Sequence, residues 1–120
     1  MTREIEKEKV FAISNFSKDV LEVVDNLDRV LNQCKADSET TVYQGVEMIK
    51  NNSLTVLKRF GIVPIENPLN EQVNLELHEI VFHAPYPGKP DGYVLDVSQS
   101  GFMIGDRVLR PAKVGVVKNN

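Results

Sequence analysis

Along the first third of the chain, apolar residues recur at helical spacing. Ile13, Phe16, Val20, Val23, Leu27 and Val30 follow one another at intervals of 3, 4, 3, 4 and 3, and Val10, Val24 and Leu31 widen the stripe. This spacing predicts one long helix over about residues 3–34, whose apolar face must be buried against other helices. Thr2 to Lys9 is almost wholly charged apart from Ile5. That segment should project into solvent or continue a thin coiled coil. Asp37 or Ser38, followed by Glu39, marks a second helix start, and Val42, Val46, Ile49, Val56 and Phe60 form its stripe, with Ser53 as a polar gap, before Gly61 ends it. The short connection predicts an antiparallel hairpin, which is half of a four-helix bundle. A twofold-related second copy would complete it. Ile13, Phe16, Val20, Val23, Leu27, Val46 and Ile49 are the expected dimer contacts.

After Gly61 the pattern changes to short β-prone runs at residues 62–65, 79–84, 92–98, 102–104, 107–110 and 113–117. Pro85, Pro87-Gly88, Asp91-Gly92, Gly101 and Gly105-Asp106 punctuate them. Asn67 to Glu76 reads as a loop, which Pro68 enters in extended form. The expected class is α+β: a helical dimerisation region over residues 1–61 and a small all-β lobe over residues 62–120.

Composition narrows the partners. A chain of 120 residues with 42% hydrophobic content supports one domain or two small lobes, with a core that benefits from a second subunit. Its net charge of −3 argues against a dedicated nucleic-acid binder. The tail is a local exception, because Arg107, Arg110, Lys113 and Lys118 face only Asp106 there. Such a patch fits either an acidic protein partner or a solvated strand face. Cys34 is the single cysteine, so an intrachain disulfide and a cysteine-based zinc site are excluded, and a reducing compartment fits best. No run of 18 apolar residues is present, so membrane insertion is not expected.

Candidate chemistry is sparse. His78 and His83 should lie on opposite faces of a strand and do not form a metal pair. Gly88-Lys89-Pro90 lacks the spacing of a phosphate loop, and Cys34 has no nearby histidine in sequence. Asp25, Asp28 and Arg29 read as a hydrated helix face. Gly45 stands out at the edge of the second stripe, where glycine costs about 1 kcal/mol relative to alanine. Either another backbone approaches closely there, or the weakness is simply tolerated.

Several linked segments carry a resemblance. Val94-Leu95-Asp96-Val97-Ser98-Gln99-Ser100-Gly101-Phe102-Met103 and Arg107-Val108-Leu109-Arg110-Pro111-Ala112-Lys113-Val114-Gly115-Val116-Val117 closely resemble the C-terminal signature of the GrpE family, nucleotide exchange factors of DnaK-type heat-shock chaperones. Phe11-Ala12, Val23-Val24-Asp25-Asn26-Leu27-Asp28-Arg29-Val30-Leu31, Gln44-Gly45-Val46-Glu47-Met48, Leu57-Lys58-Arg59-Phe60-Gly61-Ile62 and Leu77-His78-Glu79-Ile80-Val81-Phe82 resemble the family's helical and strand-opening motifs, in order.

The resemblance implies a homodimer with paired long helices, a four-helix bundle from two subunits and a C-terminal β wing. Wing and helices would grip the chaperone's nucleotide-binding domain and hold it open for ADP to leave. No covalent chemistry and no cofactor are implied. Gly45, Phe102, Met103, Arg107 and Arg110 are the expected chaperone contacts, with Phe102 and Met103 exposed beside a turn. The tail and Phe82-His83-Ala84-Pro85 resemble the mitochondrial branch, which implies a role in protein folding and import in the mitochondrial matrix, with a plastid or the bacterial cytoplasm as alternatives. Three features depart from the family pattern: Val73-Asn74 replaces an aspartate-proline pair, Ser53 an apolar residue, and Asn51-Asn52 lowers helix propensity. Functions that the family assigns to the earlier part of the long helix, including temperature sensing, are not expected in full. The rival readings are a helical dimeric scaffold without exchange activity and a nucleic-acid binder using the basic tail.

Overall fold

The computed structural model describes residues 2–120 and divides into two compact units, one running to Phe60 and the other from Gly61 to Asn120. In the first unit, α1 (Thr2–Gln33) and α2 (Thr41–Arg59) are joined through a 3-10 turn, Lys35–Asp37. The second helix begins later than its sequence suggests. Asp37 and Ser38 close the turn instead, and Thr40 is the cap: its hydroxyl donates to the Asp37 carbonyl at 2.7 Å and accepts from the Tyr43 N–H at 3.2 Å. At the other end Gly61 takes φ 78°, the left-handed geometry that terminates helices, just after Lys58 and Arg59 have placed cations by the last carbonyls.

The helices differ in length, at 32 and 19 residues. At 1.5 Å per residue α1 is about 48 Å long and α2 about 28 Å, so much of the first half of α1 has no α2 beside it. Residues 2–13 are accordingly all exposed. Farther along, α1 buries Ser17, Leu21, Val24 and Leu31, and α2 buries Leu57. Ser17 is tolerated there because its hydroxyl donates to the Ile13 carbonyl at 2.6 Å. Asp28 corrects the hydrated-face reading: it is partly buried and pairs with Lys50 of α2 at 2.5 Å. A half-exposed pair of this kind contributes about 0–1 kcal/mol, but it marks the register of the hairpin.

In the second unit, β1 (Ile62–Pro64), β4 (Phe102–Ile104) and β5 (Arg107–Arg110) form an antiparallel sheet in the order β1-β4-β5. A second sheet has β6 (Ala112–Val117) at its centre, parallel to β2 (His78–Ala84) and antiparallel to β3 (Val94–Gln99). That central position explains why Val114, Val116 and Val117 are all buried, although they do not simply alternate. Val94, Ala112, Val114 and Val116 form the core, against which Val73, Ile80 and Val97 pack. Gly101 sits where the chain passes from one sheet to the other. A Cβ there would come within 2.5 Å of the Ala112 nitrogen, while its carbonyl accepts from the Ile65 N–H at 2.8 Å.

The Asn67–Glu76 stretch is a loop, but an ordered one. Val73 donates to the Gly92 carbonyl at 2.9 Å, and Asn74 Oδ1 accepts from the Glu76 N–H at 3.0 Å in a side-chain-closed turn. The departure from aspartate-proline therefore leaves a well-bonded turn. That turn anchors His78, which is buried at the start of β2 and accepts the Asn74 N–H at Nδ1, 2.9 Å away. An accepting Nδ1 fixes the neutral ring with its proton on Nε2.

Burial holds the His78 pKa below its ordinary value, and the Glu71 carboxylate offsets this only in part. A depressed histidine pKa stabilises the fold fully above the unfolded value, about 6.5, and that contribution is lost as pH falls through the lower folded value. Urea unfolding between pH 7 and 5 should show this loss, and His78→Asn should flatten the slope in that window. An unchanged slope in the variant would remove His78 from the account.

Candidate functional site

Two surfaces stand out. On the helices, Ile13, Phe16, Val23 and Val30 of α1 and Val42, Met48, Ile49, Val56 and Phe60 of α2 are exposed. At about 100° per residue, the exposed α1 strip lies about 90° around the helix from the face carrying Ser17, Leu21, Val24 and Leu31. Val20 and Leu27 lie between the two strips and are half-buried, as is Val46 on α2. Phe16 is 71% exposed and Val23 56%, so this chain alone leaves most of the sequence-predicted stripe uncovered. The hairpin uses the neighbouring face, and Leu21 and Leu57 were the core residues that the stripe did not single out. For Leu21 the signal was the widening of the α1 stripe by Val24 and Leu31. Gly45 is half-buried, and beyond its chain neighbours and the adjoining backbone of its own helix no atom of the chain would lie within 4 Å of a Cβ placed on it. Nothing inside the chain requires glycine there.

The second surface is the β4–β5 hairpin, which turns at Gly105-Asp106. Ile104 opposes Arg107, Met103 opposes Val108, and Phe102 opposes Arg110, with an irregularity in register between Phe102 and Met103. The structure corrects the expected exposure of Phe102, which is only 2% accessible. A ring this deeply packed is core. Behind it, the Arg110 guanidinium lies 5.3 Å from the ring centroid, and its Nε donates to the Ser100 carbonyl at 2.9 Å. Arg110 is thus held half-buried, and Met103 is half-buried too, whereas Arg107 is exposed. Val108, 38% exposed and paired in register with Met103, belongs to the presented face but was not among the expected contacts. Alternation could not choose between Val108 and Leu109, because the register break decides that Leu109 is the buried one. Alternation places Arg107 and the Met103–Val108 pair on opposite faces of the hairpin, so it presents an exposed cation on one side and aliphatic carbon on the other, both suited to a protein partner. Among the described residues, no cluster of histidine, cysteine, aspartate or glutamate is arranged to hold a metal ion, and no helix is long and apolar enough to cross a membrane.

The model of the GrpE family matches residues 1–118, which takes in both the helices and the β4–β5 hairpin. The chain belongs to the GrpE family. It is 40% identical over 124 residues to the mitochondrial GrpE protein homolog of Kluyveromyces lactis, covering 98% of this chain and 51% of that protein. Identity to the mitochondrial GrpE protein homolog of Debaryomyces hansenii is 44% over 123 residues, covering 96% and 50% respectively. Protein GrpE of Brucella anthropi is 39% identical over 122 residues, covering 97% of this chain and 53% of that protein. The chain thus spans about half the length of the curated relatives it matches, and both mitochondrial and bacterial GrpE proteins are among them.

Proposed function

We propose that this chain is an adenine nucleotide exchange factor. As a homodimer, it binds the nucleotide-binding domain of a DnaK-type chaperone and accelerates ADP release. The observation that carries this reading is the GrpE match over residues 1–118, which takes in both the helical unit and the wing. Physically, the factor binds the open conformer of its partner more tightly than the closed one, so binding shifts the population toward release without breaking a covalent bond. Arg107, the Met103–Val108 pair on the opposite face of the hairpin and the helical surface around Gly45 form the contacts. Phe102 and Arg110 act from behind, as a buried stack that fixes the hairpin. The exposed strips on α1 and α2 pair with those of a second copy to complete a four-helix bundle. A mitochondrial matrix location, with roles in folding and protein import, fits the mitochondrial relatives, and a bacterial or plastid setting is the alternative.

The test is stopped-flow release of a fluorescent ADP analogue from a DnaK-type chaperone. The unaltered chain should accelerate release, and Arg107→Glu should cut the acceleration by about tenfold, because reversing a surface charge turns attraction into repulsion. Gly45→Asp should weaken binding while the helices stay folded, since the chain itself leaves room for the new side chain. No acceleration by the unaltered chain would sink the exchange-factor reading and leave a dimeric scaffold.

A further inference from the structure

At one end of the β unit, a single amide side chain ties a loop to the segment that follows β6. Asn119 Oδ1 accepts from the Tyr86 N–H at 2.7 Å, while Asn119 Nδ2 donates to the Tyr86 carbonyl at 3.2 Å and to the Lys89 carbonyl at 2.8 Å. Its own backbone N–H donates to Asp91 Oδ1 at 2.8 Å. The amide thus places one acceptor and both donors on loop backbone, much as a neighbouring strand would. Beside it, Lys118 donates to the Ala84 carbonyl at 3.0 Å and Gly92 to the Val117 carbonyl at 2.9 Å, so the ladder closes the two ends of the loop; its middle is held by a turn, in which the Lys89 N–H donates to the Tyr86 carbonyl at 3.1 Å, and by Asn119. Within the loop, the Lys89 Nζ donates to Asn70 Oδ1 at 2.7 Å and lies 4.6 Å from the Tyr86 ring centroid.

We propose that Asn119 is a clasp that holds the Tyr86–Asp91 loop in one conformation and thereby presents Tyr86 and Lys89 as a fixed aromatic–cation pair. Four hydrogen bonds to three loop residues converge on one residue, and no side chain other than an amide of this length supplies both the acceptor and the two donors. Aspartate is the sharpest substitution. It keeps the acceptor for Tyr86 but loses both donors and turns a carboxylate toward two carbonyls and the Asp91 side chain.

The experiment is residue-resolved amide hydrogen exchange by NMR on the full chain, comparing Asn119→Asp and Asn119→Leu with the unaltered protein. Exchange at Tyr86 should rise by about tenfold or more in both variants, while Val114 and Val116 in β6 remain protected. Leucine removes the bonds without adding charge, so it decides the matter if the aspartate variant fails to fold. A Tyr86 amide that is equally protected in the leucine variant, or unprotected in the unaltered protein, would overturn the clasp.

Discussion

Phe102→Ala should destabilise the β unit by about 3–5 kcal/mol, the usual cost of deleting a fully buried aromatic side chain. The ring is 2% exposed, lies on a three-residue strand between β1 and β5, and supports the Arg110 guanidinium. Its loss would leave a cavity in a small core and a cation with no ring to stack on. Units of this size have little stability in reserve, so a loss of that order should populate unfolded wing at ordinary temperatures. Phe102→Leu, which keeps most of the apolar volume, should cost about 1.5 kcal/mol or less. Urea unfolding followed by NMR of amides in β4, β5 and β6 would read both variants. A stability change under about 1 kcal/mol for the alanine variant would mean that the ring is not core and would restore Phe102 as a surface contact. Loss of nucleotide release in this variant cannot by itself be assigned to a lost contact; Arg107→Glu, at an exposed position, is the cleaner probe of the surface.

Val23→Asp should convert the proposed dimer into monomer at micromolar concentration, raising the dissociation constant at least about a hundredfold. Val23 is 56% exposed in the single chain, so an aspartate there costs an isolated hairpin little. In a completed bundle the same carboxylate is buried twice, once from each subunit, with no partner in the apolar strip of Phe16, Val23 and Val30. Sedimentation equilibrium of the unaltered and variant proteins separates the two cases. If the unaltered protein is a monomer, or if the variant dimerises as tightly, the bundle is not built on this face. Leu27→Asp is less diagnostic, because Leu27 is half-buried within the chain itself.

How much of this was legible in advance differs between the two units. In the helical unit, the 3-and-4 spacing located both helices, because helical periodicity is a local property of the backbone. The hairpin connection could be read for the same reason. What the stripe could not tell was which edge the chain itself covers: Ser17, Leu21, Val24 and Leu31 are buried, whereas Phe16 and Val23 remain uncovered. A helix that contacts two neighbours carries two adjoining apolar strips, and one sequence superposes them. Likewise, no residue pattern said that Asp28 would reach Lys50, since that pairing depends on the register of two helices.

In the β unit, six strand segments were readable from β-prone runs and turn residues, and the strands begin or end within about two residues of them. Their partners were not. That β6 pairs in parallel with β2, far earlier in the chain, depends on contacts between distant segments. Burial followed from that pairing: Phe102, beside a glycine turn and in a short run, looked exposed by local context but is enclosed once β1 and β5 flank its strand. By itself, then, the sequence determined the elements, the two-unit order and the family, because these depend on local periodicity, turn chemistry and the order of motifs. Only the tertiary structure decided which faces are covered, that Val108 rather than Phe102 is presented, and that Asn119 reaches back to Tyr86, because burial and long-range hydrogen bonds are properties of packed neighbours and not of any residue's place in the chain.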